Sequence, residues 1–267
     1  MLSGFIRHIR LYALFMRNSL LSYVEYRANF YASMLMEILF LCSKLVYVFF
    51  TYTVDIEING ISPDQMLFFT GTYTIMVAVY TGLFMDNFYR ISAYVNDGTM
   101  DIYMTKPVSL LMIISMQHIN YALPIPNLIA GITMIMIAVN RLGYTVTLAN
   151  VILYILILLS CTIVMYCFFL IPQLLSFWMI RTGSVTEILD KSWDLDNMPM
   201  AIYGKWFRRL GTYFIPVLFI TNAPAMYWTG QLTVVLKYWI VLAPAVFLLL
   251  LNFVWRFAVK KYASASS

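Results

Sequence analysis

Long apolar runs separated by short polar segments extend along the whole chain. A helix that crosses a lipid bilayer needs about 20 mostly apolar residues, and six segments of this chain reach that length. Two of the six are longer than one crossing requires and contain proline, which predicts kinked or extended helices. The predicted spans are residues 31–54, 66–88, 109–139, 149–180, 210–228 and 233–257.

The segment before the first span has the pattern of a helix with one basic face. At about 100° per residue, Arg7, Arg10 and Arg17 fall on one side of such a helix. This pattern predicts an amphipathic helix within residues 1–29 that lies flat at the inner headgroup layer, its arginines toward anionic lipid. An anchor and a docking helix for a partner fit the pattern equally well. The opposite, apolar side carries Phe5, Ile9, Tyr12, Met16, Leu20 and Tyr23.

The composition agrees with a protein that lives in a bilayer. The 267-residue chain is 62% apolar and 11% charged, and its mean hydropathy is +0.81. Soluble domains carry roughly 25% charged residues, so a soluble enzyme, a disordered regulator and a secreted disulfide scaffold are excluded. The expected fold is an all-α integral membrane protein in which residues 1–267 form a single transmembrane domain.

The positions of the basic residues predict the orientation in the membrane. Lys and Arg concentrate on the cytoplasmic side of membrane proteins, and six spans with both termini in the cytoplasm place 14 of the 17 basic residues there. Two cytoplasmic loops result, 89–108 and 181–209, and a cytoplasmic partner is expected to bind there. The 14 residues are Arg7, Arg10, Arg17, Arg27, Arg90, Lys106, Arg181, Lys191, Lys205, Arg208, Arg209, Arg256, Lys260 and Lys261.

The net charge of +5 does not indicate a nucleic-acid partner, because the basic residues lie at the ends of apolar runs rather than in one patch. The chain also lacks the motifs of an enzyme. The Gly204-Lys205 pair is not preceded by the glycine of an ATP-binding P-loop. Neither histidine, His8 or His118, has a Cys, Asp or Glu at metal-ligand spacing. A membrane enzyme that acts on lipids would need such an acid–base or metal constellation.

Two charged residues, Glu37 and Lys44, lie inside the first predicted span. Seven residues are close to two helical turns, so the two side chains share a face about 10 Å apart. Charges at this depth are costly and therefore informative. Either each contacts a neighbouring helix, or they line a polar cavity, as an ion-coupled secondary transporter would require. A proton relay usually has more carboxylates than Glu37 and Asp86.

The loop 89–108 contains a predicted short helix. Asp97 and Gly98 form a turn, and Thr99 is the expected N-cap. Proline disfavours continuation of a helix, so Lys106-Pro107 ends the element. A compact helix between two spans suits the element that receives force from a soluble motor, and a surface helix without a special role is the alternative. Within it, Asp101 lies in the first turn and Met100, Tyr103 and Met104 follow at helical spacing.

Three stretches in this order resemble the membrane subunits of type-2 ABC exporters, specifically the bacterial six-helix permeases. Together they cover nearly the whole chain. They are Tyr26-Arg27-Ala28-Asn29-Phe30 before the first span, the run from Gly98 through Asp101 and Lys106-Pro107 to Ser109, and Ser176-Phe177-Trp178 followed by residues 198–203 and 215–225.

The resemblance implies a mechanism and a set of partners. The permease binds no cofactor itself, because ATP and Mg belong to a separate ABC ATPase subunit. A second six-helix permease, the same chain or a homologue, completes the path across the bacterial plasma membrane. The segment from Thr221 to Gly230 resembles a partly re-entrant cap, and the substrate remains open. The residues implied for ATPase coupling are Asp97, Gly98, Asp101, Tyr103, Lys106 and Pro107. The charged residues Glu37 and Lys44 are candidates for the path, and Phe219, Thr221 and Asn222 either form an aromatic and polar wall of it or serve ordinary helix packing.

Overall fold

The computed structural model describes residues 2–54, 60–179 and 182–262. Within these ranges the chain is built of helices, which confirms the predicted all-α class. The helices are α1 (Leu2–Glu25), α2 (Arg27–Val54), α3 (Pro63–Tyr80), α4 (Asp86–Asn96), α5 (Thr99–Met104), α6 (Leu110–Met116), α7 (Pro124–Leu142), α8 (Leu148–Gln173), α9 (Gly183–Asp196), α10 (Lys205–Tyr213), α11 (Val217–Trp228) and α12 (Val234–Lys261).

Five helical segments of the described chain are long and apolar enough to cross a membrane. They correspond to the first, second, fourth and sixth predicted spans and to the second half of the third. Much of their surface is apolar and exposed, as on α2 at Phe49 and Phe50, which is the surface that lipid covers in a membrane protein. The five segments are Arg27–Thr53, Pro63–Asn96, Pro124–Leu142, Leu148–Phe177 and Val234–Lys261.

The bundle has two ends, which we name after glycines with left-handed backbones. At the Gly98 end, α4 turns into α5 through Gly98 (φ 77°). At the opposite, Gly143 end, α7 turns into α8 through Gly143 (φ 64°). There Arg141 lies 3.7 Å from the Asp64 carboxylate at the start of α3, so the start of α3 belongs to the Gly143 end.

Helices α3 and α4 form one continuous rod, because a π-helical turn, Thr81–Met85, joins them. This rod is the most buried of the long apolar segments. It crosses α7 where two glycines meet. A Cβ atom added to Gly71 would lie 2.9 Å from the Gly131 carbonyl oxygen, so only glycine permits this close backbone approach. A hydrogen bond of 2.9 Å between Thr72 and Tyr154 ties the same rod to α8.

The prediction of one kinked helix over 109–139 is wrong. Helix α6 ends at Met116, and α7 begins only at Pro124. Between them the chain packs against the π-helical turn, where the Asn120 amide donates to the Gly82 carbonyl oxygen at 2.9 Å. The Asn120 side chain also donates to Asp86. The first of these bonds gives a backbone amide of the break the partner that a continuous helix would otherwise supply, and the second fixes the Asn120 side chain.

The segment 181–209 was predicted to be a loop confined to the cytoplasmic side, and its described part does not have that form. It contains α9, which runs antiparallel to the α3–α4 rod. Asp190 accepts a hydrogen bond from Tyr89, on the α4 part of the rod. Further along, the Trp193 ring lies 5.2 Å from that of Tyr80, and Met200 shares a small cavity with Ile61. The segment therefore reaches the Gly143 end.

The predicted span over 210–228 is also wrong. Pro216, which has no amide hydrogen to donate, separates α10 from α11, and the 12-residue α11 is too short to cross a bilayer. The two helices form a hairpin that enters the bundle from the Gly143 end. The indole of Trp239, near the start of α12, donates to the Thr212 carbonyl oxygen at 3.1 Å. At the end of α11, the Trp228 ring lies 5.9 Å from the ring of Tyr144, which follows Gly143.

Candidate functional site

The first element of the candidate site is α5 at the Gly98 end. The Asp97 carboxylate accepts a hydrogen bond of 2.9 Å from the Thr99 amide. Gly98 stands at the N-cap position, so the prediction that Thr99 caps the helix is wrong. The left-handed Gly98 turn leaves the first-turn amide pointing at Asp97 instead. Hydrogen bonds from the Thr99 amide and from the Thr99 side chain lower the pKa of Asp97, since they stabilise the charged carboxylate.

Two neighbouring helices hold α5 in place. Met100 is 0% exposed and belongs to the main core. The Tyr103 ring meets that of Tyr94, on α4, edge to face at 5.2 Å. At the end of α12, Tyr262 lies beside Asp101, and burial together with this carboxylate raises the pKa of Tyr262 to about 12. A displacement of α5 therefore acts on both α4 and α12.

The outer face of α5 is exposed and mixed in character. Ile102 is 61% exposed and Met104 is 38% exposed. Lys106 follows, with its Nζ 4.8 Å from the centroid of the Tyr103 ring, and Pro107 is exposed. Apolar side chains beside a cation, presented at the end of a bundle, form a surface that another protein can cover.

The basic N-terminal helix packs beside this end of the bundle. The Ser19 hydroxyl accepts from the Ile119 amide at 3.1 Å, and the Tyr121 hydroxyl donates to the Met16 carbonyl oxygen at 3.1 Å. Arg10 and Arg17 are exposed, as the predicted lipid-facing positions require, while the side chain of Arg7 lies outside the described part. The helix ends at Glu25 rather than near residue 29.

Both charged residues of the first span contact neighbouring helices. Glu37 accepts a hydrogen bond of 2.6 Å from the Asn127 side chain of α7. The Lys44 ammonium lies 5.0 Å from the centroid of the Tyr73 ring of α3, within the range of a cation–π interaction. The structure does not bring the two together into one site. This placement matches the first of the two interpretations, contact with neighbouring helices.

Of the three path candidates on α11, two are sealed in the core. Phe219 and Thr221 are 0% exposed. Asn222 accepts a hydrogen bond of 2.7 Å from the Met200 amide and lines a cavity of about 80 Å³ at the Gly143 end, together with Gln65 and Arg208. The α10–α11 hairpin therefore lines a space at the Gly143 end that is large enough for a few water molecules.

Sequence reasoning missed α9, a helix with one side packed in the core and one side exposed and charged. Its inner side packs into the core, where the Trp193 ring stacks on Phe169 at 5.1 Å. Its outer side exposes Glu187, Asp190 and Lys191. A signal for this helix was present, because Val185, Leu189 and Trp193, which all pack in the main core, recur at every fourth position.

The architecture defines a multi-pass α-helical membrane protein with a short helix exposed at one end. The sequence profile of the ABC-2 family transporter proteins matches residues 30–266. The chain therefore belongs to the ABC-2 family and is the membrane component of an ABC transporter, a family that acts in transport and not in catalysis. Membership implies association with an ABC ATPase. No curated protein and no solved structure matches the chain.

Proposed function

We propose that this chain is the permease subunit of an ATP-driven exporter. Two copies, or this chain and a homologous permease, enclose the substrate path, and separate ATPase subunits bind ATP and Mg. The observation that carries the proposal is α5, a short helix anchored in the core by Met100 that exposes Ile102 and Met104 at the end of the bundle. Such an element can receive a push from a soluble motor without unfolding.

The contacts of α5 support a mechanism for coupling. Its Tyr103 touches Tyr94 of α4, and α4 continues through the π-helical turn into α3. Its Asp101 lies beside Tyr262 at the end of α12. Closure of the ATPase on α5 would therefore tilt α3–α4 and α12 together. Packed helices switch between discrete arrangements, which alternating access requires.

The exposed side of α9 supports a proposal for the position of the substrate path. Charged side chains at the depth of the bilayer are costly in lipid and usually face protein or a water-filled cavity. Glu187, Asp190 and Lys191 are exposed on α9 in the isolated chain. We assign this side of α9 to the wall between the two permeases, and the ion-coupled alternative, which relied on Glu37 and Lys44, is not favoured.

The orientation in the membrane is inferred from the positions of the basic residues, after one correction. Lys205, Arg208 and Arg209 belong to the hairpin at the Gly143 end, and Lys191 lies on α9. Nine of the 14 basic residues assigned to the cytoplasmic side lie at the Gly98 end of the described chain: Arg7, Arg10, Arg17, Arg27, Arg90, Lys106, Arg256, Lys260 and Lys261. The bias still favours a cytoplasmic Gly98 end. Both termini then lie in the cytoplasm of a bacterium, where α5 meets the ATPase.

A matched pair of substitutions tests the role of α5. Ile102 at the Gly98 end is 61% exposed, and Val146 at the Gly143 end is 62% exposed. Ile102→Asp is expected to reduce co-purification of the ATPase at least tenfold, whereas Val146→Asp leaves it unchanged. Both variants should fold, because neither side chain is packed. An Ile102→Asp permease that retains its ATPase and its ATP-dependent transport would show that α5 is not the docking element.

Cysteine accessibility tests the role of α9 in the assembled transporter. Glu187→Cys and Lys191→Cys are expected to react with a membrane-impermeant thiol reagent, whereas Leu189→Cys, on the buried side, remains unlabelled. The native Cys42, Cys161 and Cys167 are first replaced by serine or alanine. Equal protection of all three positions would place α9 against lipid or protein rather than at a path.

A further inference from the structure

An amphipathic groove lies where α1 meets α2 at the Gly98 end. It has a volume of about 430 Å³, and its walls come from two parts of the chain that are distant in sequence, residues 20–31 and residues 121–125. The last turns of α1, the first turn of α2 and the approach to α7 each contribute side chains. The walls include Leu20, Tyr23, Arg27, Phe30, Tyr121 and Ile125.

Aromatic rings give the groove a defined shape. The Tyr23 ring meets Phe30 edge to face at 5.4 Å and Tyr121 edge to face at 6.0 Å. Tyrosine prefers the boundary between headgroups and acyl chains, because its ring is apolar and its hydroxyl is polar. The rings therefore mark the height at which the groove lies in the bilayer.

One cation stands at the polar end of the groove. The Arg27 Nε donates to the Val24 carbonyl oxygen at 3.1 Å, which fixes the direction of the guanidinium group. Arg27 is exposed and makes no ion pair with the acidic residues of the described chain. A guanidinium with free donors at the headgroup level binds a phosphate group well.

The polar and apolar parts of the groove are arranged in the same order as the headgroup and the acyl chains of a lipid. Arg27 is the first residue of α2, and Phe30 lies one turn deeper on the same helix. Ile125, the second residue of α7, lies on a helix that runs in the same direction toward the Gly143 end. A molecule with an anionic head at Arg27 and an acyl chain along Phe30 and Ile125 matches this order.

We propose that this groove binds one anionic phospholipid from the leaflet at the Gly98 end. Its phosphate pairs with Arg27, and one acyl chain lies between Leu20 of α1 and Ile125 of α7. The bound lipid fills the angle between the interfacial helix and the first span, which meet at Tyr26. This proposal concerns the permease alone and is independent of its ATPase and its substrate.

The headgroup contact is tested by native mass spectrometry of the full chain, purified in mild detergent and titrated with phosphatidylglycerol. Arg27→Gln is expected to reduce the bound fraction at least fivefold. Arg256→Gln is the matched control, because Arg256 is also exposed, near the end of α12, and its Nε also donates a hydrogen bond, to Asn252 Oδ1 at 3.2 Å. Equal losses in the two variants would overturn the proposal.

The acyl contact is tested by two adjacent leucines of α1. Leu20 lines the groove and is 49% exposed, whereas Leu21 is 52% exposed and lies outside the lining. Leu20→Asp is expected to weaken phosphatidylglycerol binding, and Leu21→Asp is not. Glycerol 3-phosphate, which has the anionic group without the chains, should not displace the lipid. Displacement by this compound, or equal effects of the two leucine variants, would contradict the proposal.

Discussion

The side chain of Asn87 and the backbone of His118 are joined by hydrogen bonds in both directions. The Asn87 Nδ2 donates to the His118 carbonyl oxygen at 2.7 Å, and the His118 amide donates to the Asn87 Oδ1 at 2.8 Å. Asn87 is 1% exposed. Because residues 117–123 are not helical, a single side chain of α4 satisfies backbone groups that the break between α6 and α7 leaves without helical partners.

Replacing Asn87 by Ala is expected to lower the free energy of unfolding by about 2–3 kcal/mol, since buried backbone groups lose their partners. Denaturant unfolding in detergent micelles measures this change. Asn96→Ala is the control, because Asn96 is exposed at the end of the same helix. Wild-type stability in the Asn87 variant would mean that other contacts hold the break in place.

The His118 imidazole predicts a pH dependence at the Gly98 end. Burial lowers the pKa of His118 from its ordinary value of 6.5, and the charge of Arg90 acts in the same direction, against Asp86. The unfolded chain therefore binds more protons, so stability is complete above about pH 6.5 and falls as the pH drops toward the folded-state pKa. The Tm in detergent is expected to fall with pH over this window in the wild type, and less so in His118→Gln.

The crossing of α3 and α7 predicts intolerance of any side chain at its glycines. A Cβ on Gly131 would lie 2.8 Å from the Gly71 carbonyl oxygen, so Gly71→Ala and Gly131→Ala must separate the helices. A loss of about 1–3 kcal/mol is expected for each, the typical cost of overpacking. Gly204→Ala is the matched control, because a Cβ there meets nothing within 4 Å. Thermal unfolding of the three variants in one detergent distinguishes these sites.

Two substitutions of Met100 are expected to separate the coupling of α5 to α4 from the stability of the fold. Met100→Leu keeps the volume of the side chain and is expected to cost less than about 1.5 kcal/mol. Met100→Ala leaves a cavity under α5 and is expected to cost about 2–5 kcal/mol. In reconstituted vesicles the Ala variant should also transport less substrate per ATP hydrolysed, because a loosened α5 moves without α4. Unchanged coupling in the Ala variant would remove Met100 from the mechanism.

Local signals were enough to predict much of the fold. The runs that became α2, α8 and α12 are apolar over more than a bilayer thickness, so their length alone identifies them. The short helix α5 was also predictable, because a turn at Asp97-Gly98 and a stop at Pro107 bracket it. The predicted cap at Thr99 was wrong because Gly98, with a left-handed backbone, takes the N-cap position and the Thr99 amide donates to Asp97.

The segment around α9 was mispredicted for a physical reason. Five of the 14 residues of α9 are charged, so the mean hydropathy of this segment predicts a solvent-exposed loop. The buried side of the helix is narrow, and Trp193 provides much of it by packing among Phe169, Tyr80 and Tyr73. Only the tertiary structure shows that this stripe meets the rod of α3 and α4. The hairpin of α10 and α11 was misplaced in consequence.

The π-helical turn over Thr81–Met85 determines how α4 is rotated about the axis it shares with α3. Converting this wide turn to an α-helical one with the same five residues would rotate everything beyond it by roughly 90°. Asn87 would then face away from His118, and Tyr94 away from Tyr103. The number of residues between Tyr80 and Asp86 and the geometry of this turn therefore set the rotation of α4, and with it the alignment of the rod with α5.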